Sequence, residues 1–205
     1  MSVQPIPSLT FDHWLAAERE ATATRTEFVD GEVFAMTGGS EAHNTISVNI
    51  SAELRAQFKR RPCYVYAGDM KVRADAANVG AYPDIVAVCG ERTYHDQRRD
   101  IITNPTLIIE ILSDSTEAYD RGDKFSHYRT LPSLQTYLLV SQHRVAAELY
   151  VRQADGRWLL STYDHLADSV PLKSVEASLE LAEVYDKVEL RAISDSAQLP
   201  SRGAP

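Results

Sequence analysis

The chain has 205 residues, of which 44% are hydrophobic and 24% are charged, and this composition is typical of one soluble globular domain. The formal net charge of −8 argues against indiscriminate coating of nucleic acid, which draws its affinity from positive charge. No run of about 18 apolar residues occurs, so no membrane span is expected, and we recognise no signal peptide at the N-terminus.

The two cysteines, Cys63 and Cys89, fit no metal-ligand spacing. Without a secretion signal, we expect both to be reduced, buried thiols in a cytoplasmic protein. We expect a single domain over residues 1–193, followed by a small, polar and disordered tail over residues 194–205.

The N-terminal part predicts a helix and then a hairpin. Thr10 can cap a helix over residues 11–21. Residues 26–36 then alternate in a way that is typical of two strands, with Asp30 and Gly31 at the turn, which is a strong short-range hairpin signal.

A longer helix should follow, over about residues 41–59, with Ser40 as its cap and Pro62 as its stop. Its apolar residues recur every fourth position and so face a core. His43 lies near the helix start, close to that face. Further along the chain we predict three strands, over residues 64–67, 70–74 and 83–89. A loop over residues 76–82 precedes the third strand, and a polar surface connection over residues 90–104 follows it.

A continuous apolar run over residues 107–112 predicts a strand that is covered on both faces. Glu110 sits in its middle, where an ionised carboxylate is costly unless it is paired or binds a metal. Ser115 or Thr116 can cap the helix that follows. On that helix three side chains at successive i, i+4 spacings share one face, namely Asp120, Lys124 and Tyr128.

The C-terminal part predicts a further strand, a second hairpin and a short helix. The strand covers residues 135–141 and the helix covers residues 179–185. The hairpin pairs residues 146–152 with residues 158–163 across the turn at Asp155-Gly156.

Two of these carboxylates, Asp84 and Glu110, are each attached to a buried strand. Oxygen ligands of this kind suit hard cations such as Mg²⁺ or Mn²⁺, which bind through one or two carboxylates and keep several waters. Lys124 would supply a positive charge for a phosphate or orient the attacking water. Asp120, one turn earlier, would position that ammonium group.

The order of these motifs resembles the restriction endonuclease family of the Uma type, within the PD-(D/E)XK nuclease superfamily. The resemblance covers roughly residues 11–185. It is carried by an ordered set of motifs: Asp30-Gly31, His43-Asn44, Pro83-Asp84, Glu110-Ile111-Leu112-Ser113, Asp120 with Lys124 and Tyr128, and Tyr137-Leu138-Leu139-Val140.

This resemblance implies an α/β restriction-endonuclease-like core, in which a central mixed β-sheet is flanked by helices, with N-terminal and C-terminal hairpins. It implies a metal held by Asp84, Glu110 and the main-chain carbonyl of Ile111. The superfamily places a lysine two residues after the glutamate, where this chain has Leu112, and Lys124 would take over that role. His43 stands where the superfamily often has an acid that touches the metal-bound water.

The function implied is a Mg²⁺-dependent endonuclease that hydrolyses phosphodiester bonds in DNA, acting as a homodimer because cutting two strands needs two sites. We expect the connection over residues 90–104 to reach the substrate through Arg92, Arg98 and Arg99. A basic face is also conceivable, formed by Arg55, Lys59, Arg60, Arg61, Lys71 and Arg73, although a solvated helix end explains the same charges.

Two alternatives remain open from the sequence. The first is a nuclease fold that has lost catalysis and binds nucleic acid or a protein partner, which the net charge and Leu112 both favour. The second is a glycosidase, which also needs two flanking acids, although no aromatic sugar platform accompanies Asp84 and Glu110.

Overall fold

The structure, a computed structural model, describes residues 9–190 and is built around a mixed six-stranded sheet. Its central strand is β8 (Leu107–Leu112), which pairs antiparallel with β6 (Ile85–Cys89) and parallel with β9 (Thr136–Ser141). The strand order is β11-β10-β9-β8-β6-β3. The outer strands are β3 (Cys63–Ala67), β10 (Ala147–Arg152) and β11 (Trp158–Tyr163).

Both faces of the central strand are covered, as its continuous apolar sequence predicts. On one face lies α2 (Glu41–Gln57), whose Ile46, Ile50 and Leu54 pack against the sheet with Ile109 and Ile111. The Ser40 hydroxyl accepts a hydrogen bond from the backbone N–H of His43 and so caps this helix, as predicted.

The other face packs against a second, five-stranded sheet in the order β2-β1-β5-β4-β7. Side chains from both sheets form one inter-sheet core, which includes Val72, Val79, Val86, Ile108 and Tyr137. The strands of this second sheet are β1 (Thr26–Val29), β2 (Glu32–Ala35), β4 (Lys71–Ala74), β5 (Val79–Ala81) and β7 (Ile101–Ile102).

Helix α1 (Phe11–Glu20), capped by Thr10, covers the outer face of this second sheet. Its Phe11, Trp14 and Leu15 pack around Phe28. Gly80 of β5 lies beneath them, and a Cβ there would stand 2.5 Å from the Phe11 ring. The close approach of α1 to the sheet therefore requires glycine at this position.

The helical segment after β8 is one continuous path in three parts. It consists of α3 (Glu117–Tyr119), a π-helical turn over Asp120–Lys124, and α4 (Phe125–Tyr128). The sequence predicts the helix but not the π-turn. A π-turn inside a helix is rare and is often found at functional sites.

The C-terminal part differs from its prediction. The terminal helix is shorter than expected, as α5 (Leu181–Val184). It is preceded by a hairpin of β12 (Ser169–Leu172) and β13 (Ala177–Glu180) that the sequence did not reveal. This hairpin and α5 pack with α2 against the outer face of the large sheet. The predicted tail over residues 194–205 lies outside the described residues.

Two predicted connections also contain strands. β5 lies in the expected loop over residues 76–82, and β7 lies in the expected connection over residues 90–104. Both are only two or three residues long. Each is held by pairing with β4, which is not visible from local sequence. Among residues 9–190, no helix is long and apolar enough to cross a membrane.

The expectation of two free thiols is wrong for this structure. Cys63 and Cys89 stand directly opposite each other on the antiparallel strands β3 and β6, with their Cα atoms 4.0 Å apart, and form a disulfide. The register of the strand pair brings the two sulfur atoms together, which the spacing of the cysteines along the chain does not reveal.

Candidate active site

Asp84 and Glu110 come from neighbouring strands and face each other. The antiparallel register pairs Ile85 with Ile109, so the next pair outward is Asp84 opposite Glu110. Directly opposed residues share one face of a sheet, with Cβ atoms about 4.5–5.5 Å apart. This face is the one that carries Val86 and Ile108 into the inter-sheet core.

Backbone hydrogen bonds hold the two carboxylates in this arrangement. The N–H of Asp84 donates to Glu110 Oε2 at 3.1 Å, and the N–H of Ile111 donates to Asp84 Oδ2 at 2.7 Å. Because the N–H and C=O of one strand residue point to the same side, the carbonyl of Ile111 is directed toward Asp84 as well.

The ammonium group of Lys124 lies among three carboxylates. Its Nζ is 3.0 Å from Glu110 Oε1, 3.3 Å from Glu27 Oε1 and 3.7 Å from Asp120 Oδ1. All four side chains are at least nine-tenths buried. The π-turn begins at Asp120 and ends at Lys124, so it carries both of these residues into the space between the two sheets.

Burial controls the protonation of this cluster. Desolvation raises the pKa of Glu110 well above its ordinary value, and Lys124 only partly opposes this rise. Burial likewise raises the pKa of Asp120. For Lys124, burial acts against the charged form, but the surrounding anions, Glu110 first, outweigh it and raise the pKa well above its ordinary value. The anionic surroundings of Lys124 thus favour its protonated form.

His43 reaches Asp84 from the start of α2. Its Nε2 is 3.2 Å from Asp84 Oδ2. Burial disfavours the imidazolium, yet the hydrogen bond to Asp84 and its negative charge overcome this effect and raise the pKa of His43. The ring lies against Gly39, where a Cβ would stand 2.6 Å from His43 Nδ1. Glycine at position 39 thus allows the ring to reach Asp84.

The cluster contains more carboxyl groups than basic groups. Four carboxylates, those of Asp84, Glu110, Asp120 and Glu27, surround the ammonium of Lys124 and the imidazole of His43. When all four carboxylates are ionised and both bases are charged, two negative charges remain uncompensated. Buried charges are costly unless paired, so this cluster fits a divalent cation.

The donor set also fits a hard cation. Within residues 9–190, no group of three or more His, Cys, Asp and Glu side chains is arranged so that it could hold a metal ion by itself. Mg²⁺ does not require such a group, because it binds through one or two carboxylates and retains water. Asp84 and Glu110, with the carbonyl of Ile111, would supply such a partial ligand set.

The structure thus brings together all of the predicted site residues and adds Glu27, which the sequence analysis missed. Glu27 accepts a hydrogen bond from the backbone N–H of Tyr82 at 2.9 Å, in addition to its contact with Lys124. The only sequence signal was its alternation with Phe28, which turns toward α1. That pattern places Glu27 on the opposite face of β1, but it does not say what lies there.

The proposed basic face is not supported, because two of its six members are buried. Lys71 pairs with Asp100 at 3.3 Å, and the guanidinium of Arg73 lies 3.8 Å from the Phe11 ring centroid. A third member, Arg61, donates to the backbone carbonyls of Val175 and Glu176. These residues stabilise the fold and do not form one cationic surface.

The fold is that of a mixed α/β protein in which two sheets enclose a buried acidic cluster. A crystal structure described as "a putative nuclease belonging to DUF820", from Anabaena variabilis, matches with a TM-score of 0.73 at 16% identity, covering 88% of this chain and 99% of that one. At this identity the likeness concerns the fold alone.

Sequence comparison identifies the family. The model of the Uma2 family, described as "Putative restriction endonuclease", matches residues 10–183, and the chain belongs to that family. Two proteins of Synechocystis sp. are similar: "Uncharacterized protein slr1290", 36% identical over 88% of this chain and 93% of its own length, and "Uncharacterized protein sll1609", 34% identical over 78% of this chain and 90% of its own length.

Proposed function

We propose that this protein is a metal-dependent endonuclease that hydrolyses phosphodiester bonds in DNA, with Mg²⁺ or Mn²⁺ as its cofactor. The observation that carries the proposal is the pairing of Asp84 with Glu110 across two strands, with the Lys124 ammonium 3.0 Å from Glu110. Membership of the Uma2 family supports the same reading.

Asp84, Glu110 and the carbonyl of Ile111 would hold the metal. When bound, a dication of this kind activates water and neutralises charge that develops on a phosphate. Lys124 adds a second positive charge on the same side as Glu110. Because its pKa is raised, Lys124 is protonated and would stabilise phosphate charge.

The remaining cluster residues act through these groups. Asp120 and Glu27 hold the Lys124 ammonium in place from two further directions. His43 hydrogen-bonds Asp84 and so fixes the orientation of that carboxylate. We assign all three as positioning residues.

The absence of a lysine at position 112 does not argue against this function. Leu112 is buried in the inter-sheet core, whereas Lys124 reaches Glu110 from the helical segment. One observation favours the alternative of a non-catalytic binding module. The Lys124 ammonium already offsets part of the charge of the carboxylates, without a metal ion. Titration calorimetry separates the two, because a binding module predicts no uptake of Mg²⁺ near millimolar concentration.

The direct test is nicking of supercoiled plasmid by purified protein in Mg²⁺ or Mn²⁺. We expect Glu110→Gln to abolish nicking and the exposed Glu183→Gln to leave it unchanged. Chelation should abolish nicking by every variant. Equal nicking by Glu110→Gln would indicate a contaminating nuclease and refute the proposal. Because cutting both strands needs two sites, we expect a homodimer. Light scattering of the protein–DNA complex should give a mass that corresponds to two protein chains.

A further inference from the structure

An arginine–tyrosine surface continues from the carboxylate site along the edge of the large sheet. β3 is the last strand of that sheet, and within residues 9–190 no strand pairs with its outer edge. Its register sets Tyr66 opposite Val86 and Tyr64 opposite Val88. Because Asp84, Val86 and Val88 alternate to one face, both tyrosines lie on the face that carries the site.

The spacing of these tyrosines from the site follows from strand geometry. Tyr66 and Tyr64 are two and four strand positions beyond the level of Asp84. At about 3.4 Å per residue, those levels are about 7 and 14 Å away. A stacked nucleic-acid strand rises about 3.4 Å per nucleotide, so this distance spans about two to four nucleotides.

Arg92 is stacked on this surface. Its guanidinium carbon lies 3.6 Å from the centroid of the Tyr64 ring, and its Nη1 donates to the Tyr66 hydroxyl at 2.9 Å. Next to it, Arg99 lies over Tyr94 at 5.7 Å. We call these five residues, Tyr64, Tyr66, Arg92, Tyr94 and Arg99, the Tyr–Arg platform.

The arginines of the platform have no carboxylate partner among residues 9–190. Two aspartates of the same connection are occupied from elsewhere. Arg19 binds both Asp96 and Asp100, and Lys71 also contacts Asp100. Asp96 and Asp100 are thus paired with residues outside the platform, and Arg92 and Arg99 form no ion pair within residues 9–190 of a protein whose net charge is −8.

A ring remains available for stacking. Tyr64 keeps 41% of its surface exposed although Arg92 covers one side. An exposed aromatic ring beside unpaired arginines is the combination that binds unpaired nucleotides, with bases stacked on the ring and phosphates on the cations. A base inside a duplex is already stacked on its neighbours and cannot use such a ring.

We propose that the Tyr–Arg platform binds an unpaired stretch of the DNA substrate, about two to four nucleotides from the phosphate at the carboxylate site. This inference rests on the proposed nuclease function for its choice of DNA. It narrows the substrate class to DNA with a single-stranded segment beside the cut, such as an overhang, a flap or a fork.

Binding is measured by fluorescence anisotropy in the Glu110→Gln background, which removes cleavage as a variable. The probes are a short single strand, a forked duplex and a blunt duplex of the same sequence. We expect the first two to bind at least about tenfold more tightly than the blunt duplex, and Tyr64→Ala to lose about tenfold or more of that affinity. Tyr64→Trp, which keeps an aromatic ring, should retain it.

Two further variants separate the platform from a general effect. Arg92→Ala should reduce the slope of log affinity against log salt by about 0.7, the value for one phosphate of a single strand. Leu159→Ala, on the opposite edge strand of the same sheet and 57% exposed, should bind as the parent does. Unchanged binding by both Tyr64→Ala and Arg92→Ala, or equal affinity for the blunt duplex, would overturn the inference.

The inference and the proposed function fail in different ways. If metal-dependent nicking requires Glu110 but single-strand binding does not depend on Tyr64, the platform is refuted and the nuclease function is supported. If single-strand binding requires Tyr64 but no metal-dependent nicking occurs, the platform is supported and the nuclease function is refuted.

Discussion

Replacing Lys124 by methionine tests the electrostatics of the buried cluster. The unbranched side chain is retained up to the Cε position, but the three carboxylates around Nζ lose their common cation. Removing one partner of a buried ion pair costs about 3–5 kcal/mol of the free energy of unfolding. For a domain of this size, that corresponds to a fall of roughly 6–20 °C in the melting temperature.

The pH dependence of this loss has a definite sign. The pKa of Glu110 is raised in the folded protein, and removing the Lys124 charge raises it further. A carboxyl group with a raised pKa binds more protons when folded than when unfolded, so its contribution to stability is present at low pH and is lost as the pH rises through the folded pKa. The destabilisation of Lys124→Met should therefore be smallest near pH 4 to 5 and grow toward pH 8.

The assay is thermal melting of the parent and Lys124→Met across that pH range, in the presence of a chelator. Lys173→Met removes an exposed lysine and serves as the control, for which we expect no more than about 0.5 kcal/mol of change in the free energy of unfolding. A loss for Lys124→Met that is equally large at every pH, or no loss at all, would refute this account of the cluster.

Three further predictions concern residues around the cluster and the fold. Gly39→Ala places a Cβ 2.6 Å from His43 Nδ1 and should displace the ring from Asp84. We expect this change to lower the plasmid nicking rate at least about tenfold. The control Gly38→Ala, whose Cβ has no atom within 4 Å, should leave the nicking rate unchanged. Burial acts to raise the pKa of Asp100, but Arg19 and Lys71 overcome this effect and lower the pKa to about 2. Asp100→Asn should therefore lower the free energy of unfolding by about 1–2 kcal/mol at pH 7. The melting curves of the parent and the variant should converge as the pH falls from about 4 toward about 2, because a carboxylate with a lowered pKa contributes its full stabilisation only above its unfolded pKa. Thiol titration of unfolded, unreduced protein should detect no free thiol, and Cys63→Ser with Cys89→Ser should lower the free energy of unfolding by about 2–4 kcal/mol; two free thiols would contradict the disulfide.

The sequence predicts the large sheet well because its strands have strong local signals. The apolar run around Glu110 specifies a doubly covered strand, and that strand has such surroundings in the structure. The two hairpins also follow from local turn residues, at Asp30-Gly31 and Asp155-Gly156. Their turn chemistry is independent of the rest of the fold.

The second sheet was less predictable because long-range pairing holds it together. β5 and β7 are too short to show a periodic pattern. β5 is held by pairing with both β1 and β4, and β7 is held by pairing with β4. The same reason explains why Glu27 was missed. Its contact with Lys124 joins residues 97 positions apart, across two sheets that only tertiary packing brings together.

Side-chain surroundings also overrode some charge patterns. Lys71 and Arg73 lie in a basic stretch of sequence, yet both are buried beside Asp100 and Phe11 respectively. The spacing of Asp120 and Lys124 correctly placed them on one side of a helix, although the local geometry is a π-turn. Sequence spacing thus gave the partners, and the fold determined how deeply they are buried.

The most direct measurement of the central claim is anomalous diffraction from a crystal soaked in Mn²⁺. The proposal predicts one strong peak between Asp84 and Glu110, within about 2.0–2.3 Å of an oxygen of each carboxylate and beside the carbonyl of Ile111. Lys124 should remain close to Glu110 without contacting the ion. A fully soaked crystal with no peak between these two carboxylates would contradict the proposed metal site.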